Sequence, residues 1–382
     1  MIKMLLAVIC YVAISYYVYL VVAQRYRRVS NFYDFIKDGE YQDKIIRLKM
    51  TVRMIIGIAL IFVLYNMMVT LMRSGTGGDR SNYALNFYGY RNSPSEGLTF
   101  VINLVKIFTN DVRWFYYVCM FIPVVVTLFA YSINREALPV SILFLLSTQY
   151  VLFMLAGLKQ AYANAFAVLC IAFALRNNGK KDLVFCIISM ILAIWFHHTG
   201  YFLLPIIVML KIRKTSKRNV LFMVLMVLAI VFLEPILIRV ASMVRPVFPF
   251  LARKIYEYFG ESAIEGLQTE GRSTFIKGVP FYVLTLVGWI KRKQLVNVID
   301  NYDNYLFLSF MLSLVYLSTL YNSWMYRLAY FLYFPAGIYY GQLMTHINLK
   351  SNKKILEAVI LGFTALFTLR FLALMYINYG GF

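Results

Sequence analysis

Four short polar clusters interrupt the apolar stretches of this sequence, and each carries side chains that can move a proton or bind an anion. In chain order they contain Asp79, Arg80 and Tyr83; Lys159, Gln160 and Asn164; His197 and His198; and Arg327. Arg272, in the segment 270–274, is a weaker candidate. Carboxylates and histidines can accept a proton from a hydroxyl group, and lysine and arginine can hold phosphate oxygens. These residue types indicate a site that combines a possible base with cations suited to an anionic substrate.

The spacing within two of the clusters places side chains on common helix faces. Gln160 and Asn164 are one turn apart on a predicted helix and therefore point the same way. Asp79 and Tyr83 share a face in the same manner if a helix begins near Asp79. We therefore expect each pair to act at one place rather than at two.

The histidines and cysteines do not indicate a metal centre. His197 and His198 diverge by about 100° if both are helical, which is unsuited to chelating one ion. The remaining histidine, His346, lies on the opposite side of the topology predicted below. All four cysteines lie inside apolar stretches without CxxC spacing, so we interpret them as small buried hydrophobic residues; they are Cys10, Cys119, Cys170 and Cys186. We expect neither a metal nor a cofactor.

Each cluster also has a structural interpretation. Asp79 follows a glycine and would cap a helix, whereas Lys159 would extend its ammonium group to the membrane surface. His197 would bond a backbone carbonyl, and Arg327 would belong to an interfacial belt with the neighbouring Trp and Tyr. The functional interpretation is favoured because all the clusters fall on one side of the predicted topology.

The composition identifies the elements that must position these residues as membrane-spanning helices. Of 382 residues, 61% are apolar and 14% are charged, and the mean hydropathy is +0.69. Apolar runs of about 17–25 residues recur, which is the length that crosses a bilayer. The net charge of +21 does not indicate a nucleic-acid partner, because the basic residues alternate with the apolar runs.

We predict an all-α, polytopic bundle of about twelve spans that forms a single integral membrane domain over residues 1–382. The predicted spans are 2–23, 52–72, 113–131, 138–156, 158–175, 183–196, 199–210, 219–240, 275–290, 304–320, 325–343 and 355–377. Residues 98–109 are too few to span and predict a short re-entrant or interfacial helix. Residues 246–270, within an extracytoplasmic loop over 241–274, predict an amphipathic helix on the membrane surface.

The charge distribution orients this bundle. Alternate connections hold 22 of the 38 lysine and arginine residues, so we assign those connections to the cytoplasm and both termini to the outside. The basic connections all fall on one side only if residues 183–210 cross the membrane twice, as two short spans broken at His197 and His198. All four polar clusters then reach the non-cytoplasmic face, where polar side chains at membrane depth are a functional signal.

At these residues the sequence resembles the EpsG-like branch of the Wzy-type polysaccharide polymerases. Four elements of that family occur in the expected order over roughly residues 74–335. They are Gly77-Gly78-Asp79-Arg-Ser-Asn-Tyr83, Lys159-Gln160-Ala-Tyr-Ala163, Phe196-His197-His198-Thr199-Gly200 followed by Pro205, and Arg327 followed by Tyr330 and Phe331. Lys159 departs from the usual arginine, which keeps the charge and loses bidentate geometry.

The resemblance implies a GT-C-like fold and metal-independent, inverting glycosyl transfer at the outer leaflet of the bacterial cytoplasmic membrane. It implies a polyprenyl-pyrophosphate-linked oligosaccharide as substrate, with a chain-length regulator or a flippase as further partners. Arg327 and Lys159 are expected to bind the diphosphate, with Arg80 and Arg272 in reserve. His197, or failing it Asp79, is expected to be the base. The remaining candidates, Gln160, Tyr83, His198 and Asn164, are expected to position sugar or phosphate.

Three other classes of function remain open from the residues alone: a transporter, a different membrane transferase and a scaffold protein. A flippase or transporter of the lipid-linked oligosaccharide would also need cations, although the sequence shows no internal repeat of the kind common in transporters. An O-antigen ligase shares the transfer chemistry and differs in its acceptor, and a membrane O-acyltransferase also needs a histidine. A scaffold protein would tolerate replacement of every residue in the four clusters.

Overall fold

The structure is a computed structural model, and most of the residues it describes are helical. It describes residues 8–21, 53–64, 80–91, 95–133, 137–147, 150, 154, 157–176, 179–211, 224, 232, 236, 238–249, 252–253, 256, 268–319, 326–346, 361–362, 364–365 and 368–369. No strand occurs in these ranges, as the all-α prediction requires.

The helices follow one another in the order below. They are α1 (Val8–Val21), α2 (Arg53–Leu64), α3 (Arg80–Tyr88), α4 (Glu96–Lys106), α5 (Val112–Ser132), α6 (Leu138–Leu145), α7 (Leu158–Arg176), α8 (Lys180–Phe196), a 3₁₀ turn (His198–Phe202), α9 (Leu203–Lys211), α10 (Gln268–Ile290), α11 (Arg292–Leu295), α12 (Tyr302–Ser318) and α13 (Tyr326–His346). A further helical stretch covers residues 238–244.

Two described helices, α5 and α7, are long and apolar enough to cross a membrane. Each lies within one residue of its predicted bounds, 113–131 and 158–175. Shorter apolar helical stretches among the described residues cover Val8–Val21, Arg53–Leu64, His198–Lys211 and Gly278–Ile290, so the total of twelve spans stays a prediction. Exposed leucine, isoleucine, valine and phenylalanine side chains cover α8 from Leu183 to Ile191, which is the surface that a helix presents to lipid.

Several other predicted bounds differ from the observed ones. The span predicted over 138–156 is interrupted, because α6 ends at Leu145 and the Ser147 hydroxyl accepts a hydrogen bond from the Tyr150 amide at 3.3 Å. A short helix, α4 (Glu96–Lys106), is found where one is predicted over 98–109, and its re-entrant or interfacial position stays a prediction. Helix α10 begins at Gln268, inside the loop predicted over 241–274. Most of 219–240, 246–270 and 355–377 lies outside the described residues.

The chain divides into two compact units, residues 1–207 with 340–382 and residues 208–339. In the first unit α7 is the central helix, packed between α5 and α8. Helix α8 runs antiparallel to α7, as three contacts along its length show. They are the stacked rings of Tyr162 and Phe196 at 4.2 Å, the sulfur atoms of Cys170 and Cys186 at 3.4 Å, and the Arg176–Asp182 ion pair at 2.9 Å.

All four cysteines are free, as predicted. Three of them are buried, whereas Cys10 is half-buried.

The second unit contains its own packed helix pair, α10 and α12. The Thr285 hydroxyl lies between those of Ser309 and Ser313, with the Ser313 oxygen at 3.0 Å. Beyond the end of α10, Arg292 donates two hydrogen bonds of 2.7 Å to the Asp303 carboxylate. These bonds raise the pKa of Arg292 and brace the connection between α10 and α12.

Candidate functional site

One end of the first unit collects most of the predicted site residues whose side chains are described. Helix α7 begins there and α8 ends there, and we call it the His197 end. Helix α4 crosses it: the Ser95 hydroxyl donates to the Phe196 carbonyl at 2.8 Å, and the Lys106 ammonium lies 5.4 Å above the Phe87 ring. Phe87 in turn contacts Phe115 of α5, with ring centroids 5.6 Å apart.

The chain leaves helical geometry at His197, where the sequence predicts a break. His197 is extended, with φ −157° and ψ 140°, and the 3₁₀ turn follows it. The Thr199 amide donates to His197 Nδ1 at 3.2 Å, and the Thr199 hydroxyl lies 2.9 Å from the same nitrogen. The two histidine rings are 5.7 Å apart, His197 half-buried and His198 exposed. The expected 100° divergence on a helix is therefore wrong, because only His198 lies in a helical turn.

Phe196 anchors this break to the surrounding helices. Its ring stacks on Tyr162 of α7 at 4.2 Å, and Phe166 lies 5.9 Å away. A β-carbon added to Gly97 of α4 would lie 2.9 Å from the Phe196 ring. The phenylalanine before the histidine is therefore a packing residue, and it sets where His197 emerges.

Gly200 closes the turn against the end of α8. Its amide donates to the His197 carbonyl at 2.9 Å. A β-carbon at this position would lie 2.5 Å from the Ile194 nitrogen and 2.7 Å from the Ala193 carbonyl carbon. Only glycine fits without moving backbone, since real β-carbons do not approach backbone atoms this closely.

Replacing Gly200 with alanine is expected to destabilise the protein by about 1–3 kcal/mol, because the added methyl group overpacks a backbone contact. Thermal or denaturant unfolding of the detergent-solubilised protein measures the change. Gly362→Ala is the matched control, because a β-carbon there meets nothing within 4 Å. Equal stabilities for Gly200→Ala and wild type would show that the turn does not need glycine.

The first turns of α7 bring the Lys159 cluster to the same end. Lys159 and Gln160 are half-buried, and Asn164 is 1% exposed. Among the residues that the structure describes, neither the Oδ1 nor the Nδ2 atom of Asn164 has a hydrogen-bond partner, and Gln160 Nε2 has none either. Leaving a buried polar atom unpaired costs about 1–3 kcal/mol, so these amides are candidates for binding a polar group of a substrate.

Tyr83 also belongs to the first unit and is 2% exposed, on α3 beside Phe87. Helix α3 packs on α5, which places Tyr83 in the group of helices at the His197 end. Because Tyr83 is buried, its side chain packs inside this end of the unit.

Four predicted site residues have side chains outside the described part of the chain. Asp79 lies there entirely. Arg80 is the first residue of α3, Arg272 lies near the start of α10 and Arg327 is the second residue of α13. The structure thus brings together Lys159, Gln160, Asn164 and His197, and it describes only the backbone of the three arginines.

Sequence reasoning missed Ser95 as a positioning residue. Ser95 is 8% exposed and caps α4, accepting from the Leu98 amide while donating to the Phe196 carbonyl. A serine directly before an apolar run is an N-cap signal that the sequence does carry. The bond to Phe196 leaves no such signal, because it joins residues 101 positions apart.

A cluster of exposed aromatic side chains also lies at this end. Tyr88 is 51% exposed, Tyr90 81% and Trp114 57%. The Tyr88 and Tyr90 rings are 6.5 Å apart. Near them Asp111 caps α5 and binds Arg113, a bond that lowers the pKa of the Asp111 carboxyl group.

A match to a protein family model shows which family this chain belongs to. A family model described as the EpsG family matches residues 54–381, which include all four polar clusters. The chain belongs to the EpsG family. This is a family of membrane proteins of polysaccharide biosynthesis related to the Wzy-type polymerases, so this EpsG-family chain is a helical membrane protein with a polymerase-like function. Neither the curated proteins nor the solved structures contain a match to it.

Proposed function

We propose that this EpsG-family protein joins polyprenyl-pyrophosphate-linked oligosaccharide repeat units at the outer leaflet of the bacterial cytoplasmic membrane. The observation that supports the proposal is that Lys159, Gln160 and Asn164 lie in the first turns of α7, which packs at this end of the first unit against the end of α8 that carries His197. A cation, neutral polar groups and an imidazole are the set that a diphosphate-linked sugar requires.

The reaction forms one bond and breaks one. A hydroxyl oxygen of one repeat unit attacks the anomeric carbon of the sugar on a second unit, and the bond from that carbon to the pyrophosphate oxygen breaks. The hydroxyl proton passes to a base, Asp79 or His197, and polyprenyl pyrophosphate leaves with the bonding electron pair. The anomeric configuration inverts, and neither a metal nor a cofactor takes part.

Lys159 is the group best placed to receive the diphosphate. It lies in the first turn of α7, whose N-terminus carries a partial positive charge, so positive charge is concentrated at this point. An anion bound at this position would interact favourably with both the ammonium group and the helix terminus. Arg80 is the further cation that we assign to the site in the first unit, and Arg327 and Arg272, which belong to the second unit, stay candidates from the sequence.

The neutral polar and aromatic residues are assigned to the sugars. Gln160 and Asn164 offer amide donors and acceptors to hydroxyl or acetamido groups, and the exposed His198 ring extends this polar surface. Tyr83, which is buried, is assigned to positioning the sugar through the packing of α3. The exposed rings of Tyr88, Tyr90 and Trp114 are suited to stacking on sugar faces.

Purified protein in proteoliposomes, supplied with lipid-linked repeat units alone, is expected to produce a ladder of polymers. The ladder should persist in excess EDTA, because the proposed transfer uses side-chain cations in place of a metal. Gel separation of the released glycans measures the ladder, and boiled protein is the control. Loss of the ladder on chelation, restored by one divalent metal, would contradict the metal-independent reaction.

A deletion strain separates the polymerase from the other functions. A polymerase deletion leaves single repeat units on lipid at the outer leaflet, whereas a flippase deletion leaves them at the inner leaflet. A ligase deletion leaves finished polymer on lipid. Either of the last two results would overturn the proposal.

A further inference from the structure

The contacts of the His197 ring determine which of its two nitrogens carries a proton, and the sequence alone does not reveal this. Two groups of Thr199 meet its Nδ1 atom, the backbone amide at 3.2 Å and the hydroxyl at 2.9 Å. A backbone N–H can only donate, whereas a hydroxyl can donate or accept. An unprotonated Nδ1 satisfies both contacts, while a protonated Nδ1 would face the amide with a second donor.

This requirement selects one tautomer. A neutral imidazole carries its single proton on one of its two nitrogens. Because Nδ1 must offer its lone pair to Thr199, the proton is on Nε2. The ring therefore presents an N–H donor on the side away from Thr199.

The surrounding packing holds this arrangement in place. Thr199 is 7% exposed, and its neighbour Gly200 rests against the backbone of Ala193 and Ile194. Phe196 is held by the Tyr162 stack and by the Ser95 hydrogen bond. The Thr199 amide consequently cannot turn away from the ring without disrupting the end of α8.

We propose that His197 acts through Nε2–H as a hydrogen-bond donor to the departing diphosphate, and not as the base of the reaction. This inference rests on the proposed function. As the bond between the anomeric carbon and the diphosphate oxygen breaks, negative charge grows on that oxygen, and a fixed donor there stabilises the transition state. The hydroxyl proton of the attacking sugar then passes to another group, for which Asp79 is the remaining candidate.

Three substitutions at His197 separate a donor from a base. The amide nitrogen of glutamine can occupy the place of Nε2, and that of asparagine lies nearer the place of Nδ1. If His197 is a hydrogen-bond donor, the His197→Gln variant is expected to polymerise at least about tenfold faster than His197→Ala. The His197→Asn variant should then be no faster than His197→Ala. For a base, all three variants lose activity equally, because a neutral amide does not accept the proton, and that result would overturn the inference.

The tautomer itself is measured without any activity assay. Nitrogen NMR of ¹⁵N-histidine-labelled wild-type protein distinguishes protonated from unprotonated ring nitrogens, and His198→Gln and His346→Gln variants assign the His197 signals. Protonated Nε2 with unprotonated Nδ1 is the expected result, and protonated Nδ1 would overturn the inference. If the His197 variants unfold, this measurement decides alone.

The two proposals fail in different ways. Wild-type protein that binds lipid-linked repeats yet makes no polymer would contradict the proposed function and leave the tautomer as measured. Wild-type protein that polymerises, with equal losses in all three variants, would contradict the donor role of His197 alone.

Discussion

Replacing Lys159 with alanine is expected to reduce polymer formation by about 100-fold to 1,000-fold, the range seen when one group that stabilises developing charge is removed. The ammonium group lies in the first turn of α7 at the His197 end, where the proposed diphosphate needs a counter-charge. Lys159→Met should behave like alanine because it keeps the length and loses the charge. Lys159→Arg should keep most of the activity, since it keeps the charge and adds a bidentate donor.

Initial rates of ladder formation in proteoliposomes measure these effects. Lys181→Ala is the matched control, because Lys181 is exposed at the opposite end of α8. A normal ladder from Lys159→Ala would identify this residue as a lysine that only reaches the membrane surface, and would remove it from the proposed diphosphate site.

Replacing Asn164 with leucine is expected to stabilise the protein while slowing polymerisation by about 10-fold to 100-fold. Leucine has nearly the same shape, and it removes two buried polar atoms that have no partner within the described part of the chain. Removing that penalty should raise the free energy of unfolding by about 1–3 kcal/mol. If the missing partner is a substrate sugar, the same change deletes its hydrogen bonds, which is the trade-off expected of a residue kept for function.

Thr127→Val supplies the control for Asn164. Thr127 is also fully buried, but its hydroxyl lies 3.0 Å from the Tyr150 hydroxyl. Its replacement should therefore lower stability, because it removes one of the buried hydrogen bonds of the Tyr150 hydroxyl. Unfolding curves and polymerisation rates of the two variants are compared side by side. An Asn164→Leu variant that is more stable and fully active would show that the amide has no part in binding sugar.

The sequence by itself determined where many of the described helices lie. Apolar run length defined α5 and α7 to within one residue, because a helix buried in a core or in lipid needs a continuous apolar segment of that length. The break at His197 was also readable, since adjacent polar residues followed by glycine interrupt such a segment. The weakest boundary was that of α6, which ends at Leu145 although the apolar run continues to residue 156.

Only the tertiary structure decided how those helices form a site. The Ser95 bond to Phe196 joins residues 101 positions apart, and no local pattern encodes such a contact. Whether Asn164 has a hydrogen-bond partner depends on which groups the neighbouring helices bring near it. Helical spacing predicted that Asn164 shares a face with Gln160, but it could not predict the absence of a partner among the described residues. The proton position on His197 depends on the backbone direction at Thr199. These three properties arise from contacts between elements, whereas the helices arise from the order of apolar residues within each one.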